Sequence, residues 1–214
     1  MQITLNNFIP NPLSETFSGE SDVWKKNNLV LNDAFVTAII SESGKGKSSL
    51  LSSIYGLRKD YQGEISIDNK DIRTYDLVNW TYLRRVRLSM VFQSLQLFPK
   101  LTAMENIMLK NSLRNHKTMD EIQHWISLLG MQPYINQTAA TLSFGQQQRI
   151  AIIRALCQPY TTILLDEPFS HLDSANAEIA WEIITEESKS KQANIIITGL
   201  KQTNFFAADK ILIL

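Results

Sequence analysis

A single cysteine, Cys157, stands in the whole chain, so no intrachain disulfide can form. No apolar run approaches the ~20 residues that a membrane-spanning helix needs. The opening MQITLNNFIP lacks the basic flank and apolar stretch of a secretory signal. Neither sign of charge is in excess: 21 Lys+Arg stand against 21 Asp+Glu, so no overall field draws the chain to nucleic acid or anionic lipid. Internal repeats and low-complexity segments are missing too. These absences predict a soluble cytoplasmic protein. Its 214 residues suffice for one large domain or two small lobes sharing a core.

Apolar runs supply the organisation. MQITL at 1–5 and LVL at 29–31 read as short strands, and VTAII at 36–40 leads straight into a glycine-containing loop. KSSLLSSIYGL then has helical spacing, with Leu50, Leu51, Ile54 and Leu57 on one face. GEISID at 63–68 alternates like a strand, LRRVR at 83–87 reads as a solvated helix face, and LSMVF at 88–92 is a buried strand. From about 94 to 160 the chain is expected to be mostly helical. Thr102 with Glu105, and Thr118 with Glu121, have capping-box spacing, and Gly130 closes the second helix. LSFGQQQRIAIIRAL forms a third helix, and the apolar spacing around Cys157 makes it a small packing residue.

Strand-like runs return as TTILL at 161–165, NIIIT at 194–198 and KILIL at 210–214. Between the first two lies an amphipathic helix with Ile179, Ile183 and Ile184 facing inward. Strands alternating with helices predict an α/β fold with a parallel sheet covered on both faces. The expected build is one domain over 1–214, with a core of about 1–93 and 161–214, an N-terminal antiparallel β patch and an inserted helical subdomain of about 94–160.

The loop SESGKGKS at 41–48, between a strand and a helix, has the context of a P-loop. Gly44 and Gly46 let successive backbone N–H groups turn toward one point. Lys47 can reach the β- and γ-phosphates, Ser48 offers a hydroxyl to Mg²⁺, and the helix N-terminus adds its positive end. Ser41 departs from the pattern by replacing the first glycine, which serine can do if φ stays negative.

TILLDEP at 162–168 is a buried strand that ends in two acids. Asp166 is placed to hold Mg²⁺ through water, and Glu167 to orient or deprotonate a water at the γ-phosphate. Gln93, after LSMVF, can touch both the metal and that water. LSFGQ at 142–146 opens a helix and offers a second phosphate grip.

The order SGKGKS, VFQSLQLFPKLTAMENI, LSFGQQQRIAIIRAL, ILLDEPFSHLD resembles the ATP-binding subunit of ABC transporters over essentially the whole chain. LRRVRLSMVFQ and LFPKLTAMENI are most similar to the branch serving lipoprotein-release and macrolide-export permeases. The resemblance implies the ABC ATPase fold on a P-loop NTPase core. It also implies ATP and Mg²⁺ as ligands and a head-to-tail dimer with a second copy or a paralogous subunit. Ser43, Gly44, Lys45, Gly46, Lys47, Ser48 and Ser49 would hold phosphates in cis, and Ser143, Gly145 and Gln146 would complete the site in trans. Phe144 stands where the family has the first signature glycine. Ser48, Gln93 and Asp166 would face the metal, Glu167 and Gln93 the attacking water.

Adenine would stack on Phe17, with Trp24 the rival, and Asp173 would couple the two sites or simply cap the following helix. His171 carries no role. An integral-membrane permease would dock where Gln93 joins the helical lobe, beside Leu97, Phe98 and Leu101, holding the subunit at the inner face of the membrane; these three could equally be lobe core.

The family has a histidine directly after the T of IIITGLKQ, and here that place holds Gly199. Its loss removes a preorganised contact from a step that depends on positioning and electrostatics. Lys201 or Gln202 are the nearby residues that could reach in. The chain is therefore expected to bind ATP and hydrolyse it at a reduced rate while driving a permease. The alternative is an ATP-sensing subunit that dimerises with little turnover. A DNA-repair or translation relative is disfavoured: the chain has no long coiled-coil insertion, no tandem second cassette and no basic excess.

Overall fold

The structure, a computed structural model, describes residues 1–199 and 207–214. The chain opens with β1 (Ile3–Pro10), the single turn α1 (Asn11–Ser14) and β2 (Leu29–Val30). Next come β3 (Val36–Ile40), α2 (Lys47–Ile54), β4 (Tyr61–Ile67), β5 (Lys70–Asp71), α3 (Leu77–Val86) and β6 (Leu88–Val91). Three helices follow, α4 (Ala103–Asn111), α5 (Met119–Leu128) and α6 (Phe144–Leu156). The chain then returns to β7 (Thr162–Asp166), α7 (Ser174–Ser190), β8 (Asn194–Gly199) and β9 (Lys210–Ile213).

Two sheets form. One is parallel with order β6-β7-β8-β3-β9, and the other is antiparallel with order β2-β1-β4-β5. The parallel strands are apolar on both faces because both faces are covered, and side chains alternate between two cores. Val36, Ala38, Ile163, Leu165, Ile195 and Ile197 pack with α6, α7 and the helices of 103–156. Ile39, Leu88, Met90, Leu164, Ile196 and Leu212 pack on the other side with α2, α3 and the antiparallel sheet. The α/β fold with a parallel sheet and an N-terminal antiparallel patch is thus what forms.

Local chemistry sets the helix ends. Thr102 with Glu105 and Thr118 with Glu121 both form full capping boxes, and each hydroxyl accepts the third residue's N–H. Cys157 is fully buried after α6, and desolvation pushes its thiol up to about 12, which makes it an inert packing group.

Two expectations are corrected. Leu57 is 55% exposed, because α2 stops at Ile54 and the chain turns away before Leu57 can join the apolar face. The LRRVR segment is not simply solvated. Leu83 is buried, and the Arg84 guanidinium lies over the Tyr55 and Trp80 rings while donating to the carbonyls of Tyr55 and Gly56.

Candidate functional site

Strands β3, β6, β7 and β8 run parallel, so their C-terminal ends open on the same edge of the sheet. That edge is where an open α/β sheet leaves a crevice between diverging loops. Ser41, Gln93, Asp166, Glu167 and Gly199 all come from these strand ends, far apart in sequence and adjacent in space.

The loop between β3 and α2 has the bends its glycines predict, with φ +78° at Gly44 and +95° at Gly46, where the helix begins. Ser41 keeps a negative φ, so serine fits the first position without strain. Its N–H donates to the carbonyl of Gly199 at 3.2 Å, which ties the loop to β8.

Lys47 is 4% exposed and turned back into the loop. Its ammonium donates to the carbonyls of Ser41 at 2.7 Å and Glu42 at 2.9 Å, and lies 3.3 Å from Oε1 of Glu167.

A polar chain runs across the crevice. Ser48 Oγ donates to Gln93 Oε1 at 3.1 Å, and Gln93 Nε2 donates to Glu167 Oε2 at 3.3 Å. Asp166, 3% exposed, lines the crevice beside Ser48. Burial pushes the Asp166 carboxyl up, and the neighbouring Glu167 adds to this, while the Ser48 and Thr198 hydroxyls and the charge of Lys47 oppose it. Hydroxyl, amide oxygen and carboxylate are hard oxygen donors. Three of them beside room for water and phosphate suit Mg²⁺, which keeps several waters rather than demanding a full protein cage. Ser48, Gln93 and Asp166 also line an open depression of about 450 Å³.

Glu167 has φ +46°, a conformation that costs a non-glycine residue of order 1–3 kcal/mol. Three contacts hold it there. Its N–H donates to Thr198 Oγ1 at 3.2 Å, and its carbonyl accepts from Gln148 Nε2 at 3.2 Å and from the Ser170 N–H at 3.3 Å. Thr198 in turn donates to Asp166 Oδ1 at 2.9 Å, so one hydroxyl serves both acids. The sequence reading missed Thr198 and Gln148. The Thr before the glycine was visible, but its partners lie 31 and 32 residues away.

Ser143 caps α6, and with Gln146 it forms a capping box through bonds of 3.3 and 2.9 Å. Among the described residues no hydrogen bond joins Ser143, Gly145 or Gln146 to the phosphate loop of the same chain. Gly145 packs on the following loop so closely that an added Cβ would lie 2.7 Å from the His171 carbonyl oxygen. Phe144 is 68% exposed, with its ring 5.3 Å from that of His171.

Asp173 caps α7, accepting from the Asn176 N–H at 2.9 Å. Trp24 is 3% exposed and packs against Phe8 and above Gly46. Phe17 is half-buried and lines a separate open depression of about 610 Å³ with Lys25 and Lys26. Leu97 packs against the helical core, whereas Phe98 is 57% exposed. Lys201 and Gln202 lie outside the described residues.

Residues 24–170 match the family described as ABC transporter. The phosphonates import ATP-binding protein PhnC of Lactiplantibacillus plantarum is 37% identical over 210 residues, covering 92% of this chain and 80% of that protein. The lipoprotein-releasing system ATP-binding protein LolD of Legionella pneumophila is 32% identical over 196 residues, covering 90% and 86%. The dimeric structure of MJ0796, a bacterial ABC transporter cassette, superposes with a TM-score of 0.75 at 29% identity, covering 93% of this chain and 88% of that one. A post-hydrolysis state of the same cassette, bound to ADP and Pi, gives 0.72 at 30% identity with the same coverage.

Proposed function

The chain belongs to the ABC transporter family, as an ATP-binding subunit and an ATPase, and from that premise we propose that it hydrolyses MgATP in a head-to-tail dimer to drive a separate membrane permease. The observation that carries the mechanism is the crevice that holds Lys47, Ser48, Gln93, Asp166 and Glu167: bonds of 3.1 and 3.3 Å join Ser48, Gln93 and Glu167, Lys47 lies 3.3 Å from Glu167, and Asp166 accepts from Thr198 at 2.9 Å. The loop N–H groups from Ser43 to Ser49, Lys45 among them, and the N-terminus of α2 cradle the phosphates. Lys47 leaves its loop carbonyls to reach them. Ser48, Gln93 and Asp166 would hold Mg²⁺, which would supply neutralisation of phosphate charge. Glu167 and Gln93 orient a water whose oxygen forms a bond to the γ-phosphorus as the bond to the β–γ bridging oxygen breaks. Glu167 accepts the water's proton, and ADP and phosphate are the products.

Ser143, Gly145 and Gln146 close the site of the second copy or of a paralogous subunit. Phe17 is the adenine platform, because Trp24 is already committed to the core. The helices of residues 94–160 form the lobe on which a permease segment rests, and exposed Phe98 supports a contact there. As a permease partner, the subunit works on the cytoplasmic side of a membrane. No helix among the described residues is long and apolar enough to cross one. Asp173 keeps its capping role and couples the two sites.

Gly199 favours a second reading, an ATP-sensing subunit with little turnover. It pairs with Ile40 where the phosphate loop leaves the sheet, the place from which a histidine would contact the γ-phosphate. MgATP turnover by the chain, by Glu167→Gln and by Gly199→His separates the two. Turnover abolished by Glu167→Gln supports the motor. A silent chain restored by Gly199→His supports the sensor. Turnover that survives Glu167→Gln refutes the assigned mechanism.

A further inference from the structure

Gln148 has no part in the chemistry just described, yet its side chain is fully buried between α6 and the loop after β7. Its amide spans that loop. Nε2 donates to the Glu167 carbonyl at 3.2 Å, and Oε1 accepts the His171 N–H at 3.2 Å. A primary amide offers a donor and an acceptor side by side in one uncharged plane. Glu167 needs such a clamp, since its left-handed φ of +46° would relax if the peptide after it were free to rotate. Relaxation would re-aim the carboxylate away from Lys47 and Gln93. The same first turns of α6 press on the same loop through Gly145 against the His171 carbonyl and Phe144 against the His171 ring.

We infer that Gln148 is a positioning residue for hydrolysis: it locks the Glu167 backbone to the helix that begins at Ser143, so the helix end that meets the neighbouring copy's nucleotide also sets this copy's own carboxylate. This rests on the proposed role of Glu167. Removing the clamp slows the chemical step and leaves ATP binding alone.

The test is a double-mutant cycle in single-turnover hydrolysis of MgATP, with ATP affinity and thermal unfolding measured alongside. Gln148→Met keeps the volume and removes both bonds. The expected result is a kcat lowered ~10- to 100-fold, as for a small misplacement of a reacting group, with ATP affinity unchanged. In a Glu167→Gln background the slow residual single-turnover rate falls no further, because there is no carboxylate left to misplace.

Gln148→Glu gives an independent readout should the methionine variant fail to fold. Burial raises the pKa of the new carboxyl. Below that pKa its O–H can donate to the Glu167 carbonyl, and above it the carboxylate repels it. Its kcat relative to the parent is therefore expected to recover as pH falls. An unchanged kcat in Gln148→Met, an equal loss with and without Glu167→Gln, a loss confined to ATP affinity, or a flat ratio across pH for Gln148→Glu would each overturn the inference. If Glu167→Gln alone leaves turnover intact, the role of Glu167 falls, and that result is distinct from failure of the clamp.

Discussion

Alanine at Gly46 and alanine at Gly44 are expected to cost different amounts, although both glycines sit in one loop with positive φ. At Gly44, with φ +78°, an added Cβ meets nothing within 4 Å, so the cost is backbone strain alone, about 1–2 kcal/mol. At Gly46, with φ +95°, the Cβ would fall 2.7 Å from Leu13 Cδ1 and 3.1 Å from Trp24 Cζ2. The Leu13 methyl can swing aside, but the Trp24 ring is wedged against Phe8. Overpacking of that limited kind adds about 1 kcal/mol, the low end for such changes. In a chain of this size each kcal/mol moves the Tm by about 2–4 °C, so Gly46→Ala should melt about 2–4 °C below Gly44→Ala.

Calorimetry of the nucleotide-free protein measures this directly. Leu13→Ala supplies the internal control: it opens space for the new methyl, so Leu13→Ala/Gly46→Ala should lose less than the sum of its parts. Identical melting of the two glycine variants, or strict additivity with Leu13→Ala, would refute the packing half of the reasoning and leave strain as the only term.

Two further substitutions probe the acids. Burial raises the Asp166 carboxyl, so the folded state holds its proton more tightly than the unfolded chain, and stability from this group falls as pH rises above the ordinary value of 3.8. Asp166→Asn should therefore raise the Tm of the nucleotide-free protein at neutral pH, by an amount that shrinks toward acid, while metal-dependent turnover is lost. A Tm gain that is the same at every pH would contradict the assignment. Thr198→Val keeps the shape but removes the bonds to Asp166 and to the Glu167 N–H. Denaturant unfolding should show a loss of about 1–3 kcal/mol, together with slower turnover; an unaltered rate would show that the hydroxyl does not hold the carboxylates in place.

Much of the fold was legible because its signals are local. The unbroken run VTAII, the acids closing TILLDEP and the Thr-to-Glu spacing of the capping boxes each act over a few residues, and periodicity reports them directly. The strands of the parallel sheet were found within a residue or two. What stayed hidden depends on partners distant in sequence. Gln148 meets Glu167 across 19 residues and Thr198 meets Asp166 across 32. Arg154 reaches 58 and 59 residues back to the carbonyls of Gln96 and Leu95, two left-handed residues that give the segment after Gln93 its shape. In sequence Arg154 reads as one more charge on an amphipathic helix. Leu57 failed for the opposite reason: its spacing was right, but the helix ended before it. The site residues Lys47, Ser48, Gln93, Asp166 and Glu167 were each singled out by motif, whereas Gln148 and Thr198 stand inside quoted stretches that show nothing of what their side chains hold.

The posture of Lys47 bears on how nucleotide arrives. The Lys47 ammonium donates to the carbonyls of Ser41 and Glu42 and lies 3.3 Å from the Glu167 carboxylate, in a nearly dry niche. Phosphate therefore enters by exchange, not capture: to reach it, the ammonium gives up contacts it already makes. Such a side chain broadcasts little charge into the surrounding water and gives stray anions a poor landing place. A γ-phosphate that draws it off also parts it from Glu167, so arrival of the substrate and release of the carboxylate become a single event.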